Sequence, residues 1–167
     1  MNRLLKQLLV CVFLLTLTKQ ATADSLSDAQ SAYAAGHYTK AAKLYRSLAK
    51  KGNAEAQFYL GVMYANGEGM PRDTVKAVEF YRLAAAQGDA SAQRLLAVMY
   101  NTGLGITKNN ILALMWVNIA AENAAAGKGP EGSAKLRELV MQQLTESQIA
   151  EAQELAKKCT ANKFKGC

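Results

Sequence analysis

The sequence predicts an all-α protein, built as a short array of helical hairpins with a helical cap at its C-terminal end. The chain repeats itself at a spacing of 36 residues. Its apolar residues recur at helical intervals, with only two prolines in 167 residues and no segment that alternates as a strand does. Glycines fall at the ends of the periodic runs, where helices stop.

Residues 1–23 read as a leader. Arg3 and Lys6 form a basic start, an apolar run extends from Leu8 to about Leu17, and Ala21-Thr22-Ala23 supplies the small-x-small pattern cut by a signal peptidase. The run falls short of the roughly 20 residues a comfortable span needs. The expectation is therefore export to the periplasm or beyond, with no transmembrane segment after cleavage; an uncleaved anchor is the alternative. Cys11 lies inside the apolar run without the small preceding residue a lipid-attachment site requires, and reads as filler. Losing Arg3, Lys6 and Lys19 takes the formal charge from +7 to about +4. The remaining excess is spread along the chain, unlike the basic stripe of a nucleic-acid binder. Only Lys157, Lys158, Lys163 and Lys165 are dense, and lysines at a helix C-terminus complement its dipole. Contact with an acidic partner or envelope surface is the other reading of that cluster.

Residues 54–89 and 90–125 are the two clear copies. Ala56-Gln57 matches Ala92-Gln93, Leu60 matches Leu96, and Val62-Met63-Tyr64 matches Val98-Met99-Tyr100. Gly67 and Gly69 match Gly103 and Gly105, Ala77 matches Ala113, and Phe80 aligns with Trp116. Each copy reads as two helices. In the first copy they span about Ala54 to Asn66, with Leu60, Met63 and Tyr64 on one face, and about Asp73 to Gln87, with Ala77, Phe80, Tyr81 and Ala84 inward. Gly61 permits close approach of a neighbouring helix, Asp73 fits an N-cap, and Gly88 a C-terminal stop. One hairpin cannot bury its apolar face, so stacked neighbours supply the core. Residues 24–53 form a shorter, degenerate copy, in which Ala41, Tyr45, Arg46 and Gly52 precede Ala77, Tyr81, Arg82 and Gly88 by 36 positions.

Gly61-Val62-Met63-Tyr64-Ala65-Asn66-Gly67-Glu68-Gly69-Met70-Pro71-Arg72-Asp73, followed by Lys76-Ala77, Tyr81 and Ala84-Ala85, closely resembles the Sel1-like repeat, a relative of the tetratricopeptide repeat. The second copy departs from it at Ala97 and at Thr107-Lys108. The resemblance implies a right-handed α-solenoid acting as an adaptor, often in bacterial envelopes or secretory compartments. In such arrays the outward face of each first helix lines a concave groove. Glu55, Phe58, Val62 and Asn66 occupy that face in one copy, and Arg94, Val98, Asn101 and Thr102 take similar places in the next. Phe58 and Arg94 are of the residue types that make binding hot spots. A core or inter-repeat place is the alternative for Phe58 and the default for Trp116.

Residues 126–167 read as the cap. After an Ala/Gly connection ending in Gly129-Pro130, Ser133–Leu144 forms a helix with Leu136, Leu139, Val140 and Leu144 inward. Thr145 and Gln148 make a capping box, flanked by Leu144 and Ile149 as a hydrophobic staple. The last helix covers about Glu146–Lys158, with Ile149, Ala152 and Leu155 on one face. Beyond the leader only Cys159 and Cys167 remain. An even count and an oxidising destination favour a disulfide, worth roughly 2–3 kcal/mol for so short a loop; free thiols or a metal pair are the alternatives.

No catalytic constellation, metal set or cofactor motif emerges. His37, the single histidine, sits in the short first turn without a nucleophile to activate. The Gly-x-Gly loops follow no strand, so they are not phosphate cradles, and Gly127-Lys128-Gly129 lacks Walker spacing. Ser47-Leu48-Ala49-Lys50 matches Ser-x-x-Lys, but its companion Ser-Asp-Asn and Lys-Thr-Gly motifs are missing, which leaves a β-lactamase-like activity unsupported. The functional expectation is a non-enzymatic adaptor that binds a protein or peptide, with an envelope polymer such as peptidoglycan as the alternative ligand.

Overall fold

The structure, a computed structural model, describes residues 25–125 and 132–167, so the leader and Gly129-Pro130 lie outside the described residues. Among the described residues there are eight helices and no strand. Residues 25–34 are helical (α1). The others are α2 (Tyr38–Lys50), α3 (Ala54–Asn66), α4 (Thr74–Ala85), α5 (Ala90–Thr102), α6 (Asn110–Ala125), α7 (Ser133–Met141) and α8 (Glu146–Ala161). From α2 to α6 each helix packs on its sequence neighbours, as a stack of hairpins requires. The pattern changes at the end, where α6 receives both α7 and α8.

The 36-residue period sets the helix ends as well as the core. Asn53 caps α3 by accepting from the amide of Ala56, and Asp89 caps α5 by accepting from that of Ala92, both at 2.8 Å. Asp73 and Asn109 do the same at the starts of α4 and α6, each accepting at 3.0 Å. A hydrogen bond from Lys76 holds the Asp73 carboxyl below the usual carboxylate range. Gly67 and Gly103, both left-handed, end α3 and α5 by donating to Met63 and Met99.

Two buried glutamines join successive hairpins. Gln57 Nε2 donates to the Ala49 carbonyl and Gln93 Nε2 to that of Ala85, each at 3.3 Å. Those carbonyls belong to the last turns of α2 and α4, where helical partners run out. The first helix of each clear repeat thus adds a second donor to a carbonyl that Gly52 N or Gly88 N already bonds, tying it to the helix before it.

The core divides around α3. Ala56, Leu60 and Met63 join Ala41, Tyr45 and Leu48 of α2 in one cluster. Phe58, Val62, Tyr64 and Ala65 pack instead against the larger cluster, built on α4–α8. Trp116 is buried in that larger cluster.

The cap differs from expectation in three places. Helix α7 stops at Met141, and Leu139 is 49% exposed, because α8 packs on α6 and leaves the Leu139 side of α7 to solvent. Helix α8 runs on to Ala161, three residues past Lys158. The capping box is formed as expected, with Gln148 N donating to Thr145 Oγ1 and Thr145 N to Gln148 Oε1. Cys159 and Cys167 are joined by a disulfide with Cα atoms 5.7 Å apart. The closed loop holds Lys163 and Phe164 at positive φ and sets the Phe164 ring beside Gly88, at the α4–α5 turn. Changing both cysteines to serine should lower the unfolding free energy by about 2 kcal/mol, read from urea denaturation. Reducing the unmodified protein should give the same shift.

Candidate functional site

The outward face of the first helices is built from α1, α3 and α5. Gln30 of α1 donates to Glu55 of α3, tying these helices at their exposed edges. Phe58, one turn on, is half-buried, its ring 5.3 Å from that of Tyr59 and 6.2 Å from that of Tyr81. Val62 is half-buried against the same cluster. Phe58 is therefore an inter-repeat wedge with one edge left at the surface.

Asn66 and Thr102 lie at the exposed ends of α3 and α5 with local partners. Asn66 Nδ2 donates to Glu68 Oε1 at 3.1 Å, and Thr102 Oγ1 to the Val98 carbonyl at 2.8 Å. Arg94 and Asn101 stand apart. Arg94 Nε and Asn101 Oδ1 are both shielded from solvent, and neither has a hydrogen-bond partner among the described residues. Seven residues is nearly two helical turns, so the two side chains leave the same side of α5, one offering a donor and the other an acceptor.

An aromatic chain across α1 to α3 escaped the sequence reading. Tyr33 lies 5.4 Å from Tyr38 and 5.3 Å from Tyr59, and Tyr59 stacks on Tyr45 at 5.0 Å. Tyr33 also donates its hydroxyl to Glu68 Oε2 at 2.8 Å. Burial, and then that carboxylate, push the Tyr33 hydroxyl well above the usual tyrosine range and keep it a donor. The signal was present in the tyrosine spacing, but the residues belong to different helices and meet only after stacking. Among the described residues, no group of three or more His, Cys, Asp or Glu side chains could hold a metal, and no helix is long and apolar enough to cross a membrane. His37 is exposed in its turn.

A family model described as Sel1 repeat matches residues 32–53, 54–89 and 90–124. Its second and third segments begin at the first residues of α3 and α5. Among solved structures, a protective antigen of uropathogenic Escherichia coli displaying an SLR fold superposes with a TM-score of 0.76 at 24% identity. The match covers 88% of this chain and 32% of the antigen, so the chain spans about a third of that protein's length. A Sel1 repeat protein from Oxalobacter formigenes superposes with a TM-score of 0.52 at 26% identity, over 86% of this chain and 68% of its own. No curated protein matches the chain.

Proposed function

The chain belongs to the Sel1 repeat family, and from that premise we propose that it is a non-enzymatic adaptor which binds a protein or extended peptide along the outer face of α3 and α5. Sel1 repeat proteins generally mediate protein–protein interaction. The observation that supports this surface in particular is the unpaired Arg94 Nε and Asn101 Oδ1. A buried polar atom without a partner costs about 1–3 kcal/mol, and a bound main chain, offering a carbonyl to one and an amide to the other, removes both penalties once the two side chains turn outward to meet it. Phe58 and Val62, half-buried on the outer face of α3, add apolar surface to the proposed site.

The leader and the Cys159–Cys167 disulfide support a periplasmic or secreted setting, where that bond persists. The direct test is a crosslinking capture from the native envelope with full-length, C-terminally tagged protein, followed by affinity measurement on the recovered partner. Arg94→Glu should weaken that affinity at least roughly tenfold, equivalent to about 1.4 kcal/mol, with the circular dichroism unchanged. Asn101→Leu should weaken it as well. Undiminished affinity in both variants defeats the assignment of this face. Recovery of wall fragments alone, with pelleting on purified sacculi, replaces the protein partner with an envelope polymer.

A further inference from the structure

On the reverse side of α3, a cleft of about 450 Å³ opens between α2 and α4. Leu60 and Tyr64 form its floor; they project about half a helical turn away from Glu55, Val62 and Asn66, so this is not the surface discussed above. Phe80 stacks on Tyr64 at 5.6 Å between centroids and makes one wall, continued by Leu83. The mouth is charged. Arg46, Lys50 and Lys76 border it against the single carboxylate of Glu79. Lys76 is paired with Asp73 at 2.8 Å, whereas Arg46 and Lys50 have no ion-pair partner among the described residues.

The 36-residue correspondence shows how this chain treats the same surface elsewhere. Glu79, Phe80 and Leu83 of α4 correspond to Met115, Trp116 and Ile119 of α6. The α6 residues are 2%, 3% and 1% exposed, while Leu83 is 51% exposed. A helix accounts for part of the difference: α8 packs on α6, and Leu112 and Met115 share a small cavity with its Leu155 and Cys159. The arginine differs too. Arg82 folds over Tyr100, donating to its hydroxyl at 3.0 Å, while its counterpart Arg46 is exposed at the cleft mouth beside Tyr64.

We propose that the α2–α4 cleft is a second docking surface, which takes the apolar face of an acidic amphipathic helix from a protein partner. The chain's own α8 supplies the precedent for a helical occupant, and the unpaired Arg46 and Lys50 supply the preference for acidic flanks. The proposal stands independently of the α3–α5 face.

The probe is a synthetic amphipathic helix of about five turns with a leucine stripe and glutamate flanks, titrated by fluorescence anisotropy into the full chain. A second peptide carries lysine in place of every glutamate. The glutamate peptide should bind at least tenfold more tightly than the lysine peptide. Leu83→Glu should weaken binding at least fivefold, and Arg46→Glu with Lys50→Glu at least tenfold. All three positions are exposed, so these variants should fold normally, with circular dichroism and thermal melting as the check. Arg94→Glu should leave the peptide affinity unchanged. Equal binding of both peptides, no binding of either, or binding abolished by Arg94→Glu but not by Leu83→Glu overturns the proposal.

Discussion

Replacing Gly105 with alanine should cost about 4 kcal/mol of unfolding free energy, a large share of the stability of a small array. Two effects add. Gly105 sits at φ +73°, where an L side chain costs roughly 1–2 kcal/mol. A Cβ built there would also lie 2.6 Å from the carbonyl carbon of Thr74, with the carbonyl oxygen closer still. Those are backbone atoms at the start of α4, held by the Asp73 cap, and they have no rotamer through which to escape. Gly69 repeats the arrangement one unit earlier: at φ +70° its Cβ would lie 2.5 Å from the carbonyl carbon of Tyr38, 36 positions before Thr74. Gly69→Ala should therefore cost a similar amount. Gly36, which is left-handed with open space around its Cβ, is the control and should lose only the conformational part, about 1 kcal/mol. Urea denaturation of the three variants measures this directly. If Gly105→Ala proved no worse than Gly36→Ala, the backbone contact would not be setting the stability.

Gly61→Ala should destabilise by about 3 kcal/mol, although alanine is the better helix former by roughly 1 kcal/mol. The added methyl would lie 2.5 Å from Tyr81 Cε1 and 2.6 Å from Cδ1. Tyr81 is almost completely buried and has little room to move. The next repeat carries the complementary solution. Ala97 stands where Gly61 does and Val117 where Tyr81 does, both fully buried. The larger residue on α5 is matched by a smaller one on α6. Gly61→Ala combined with Tyr81→Val should consequently cost at least about 1 kcal/mol less than the sum of the two single changes. Strict additivity in that double-mutant cycle would mean that the pair does not couple.

The sequence made the all-α class and the hairpin order legible because the period is written in residues with narrow physical roles. Gly67, Gly103 and Asp73 leave little choice about where helices end. Leu139 misled because helical spacing locates an apolar stripe without revealing what covers it, and the packing of α8 on α6 leaves that side of α7 bare. Gln57 and Gln93 were legible as matching positions of the two copies but not as links, since only the stacked hairpins bring the Ala49 and Ala85 carbonyls within reach. The outer face of α3 and α5 could be outlined from spacing. That Arg94 and Asn101 keep unpaired atoms while Asn66 and Thr102 are locally satisfied depends on side-chain geometry that the sequence does not hold.

The seating of Gly69 on Tyr38 and of Gly105 on Thr74 has a genetic consequence. Each glycine reaches back 31 positions to a peptide unit of the preceding hairpin, so the joint is chiefly between backbones. Unequal crossing-over between the coding stretches for two such loops adds or removes 36 codons and preserves the reading frame. Every product keeps a glycine facing a helix start at each junction, and the α7–α8 cap still closes the final unit. Copy number can therefore change by whole units with each backbone joint intact, while the hybrid hairpin so formed pairs Ala97 with Tyr81 or Gly61 with Val117 and has that contact to repack.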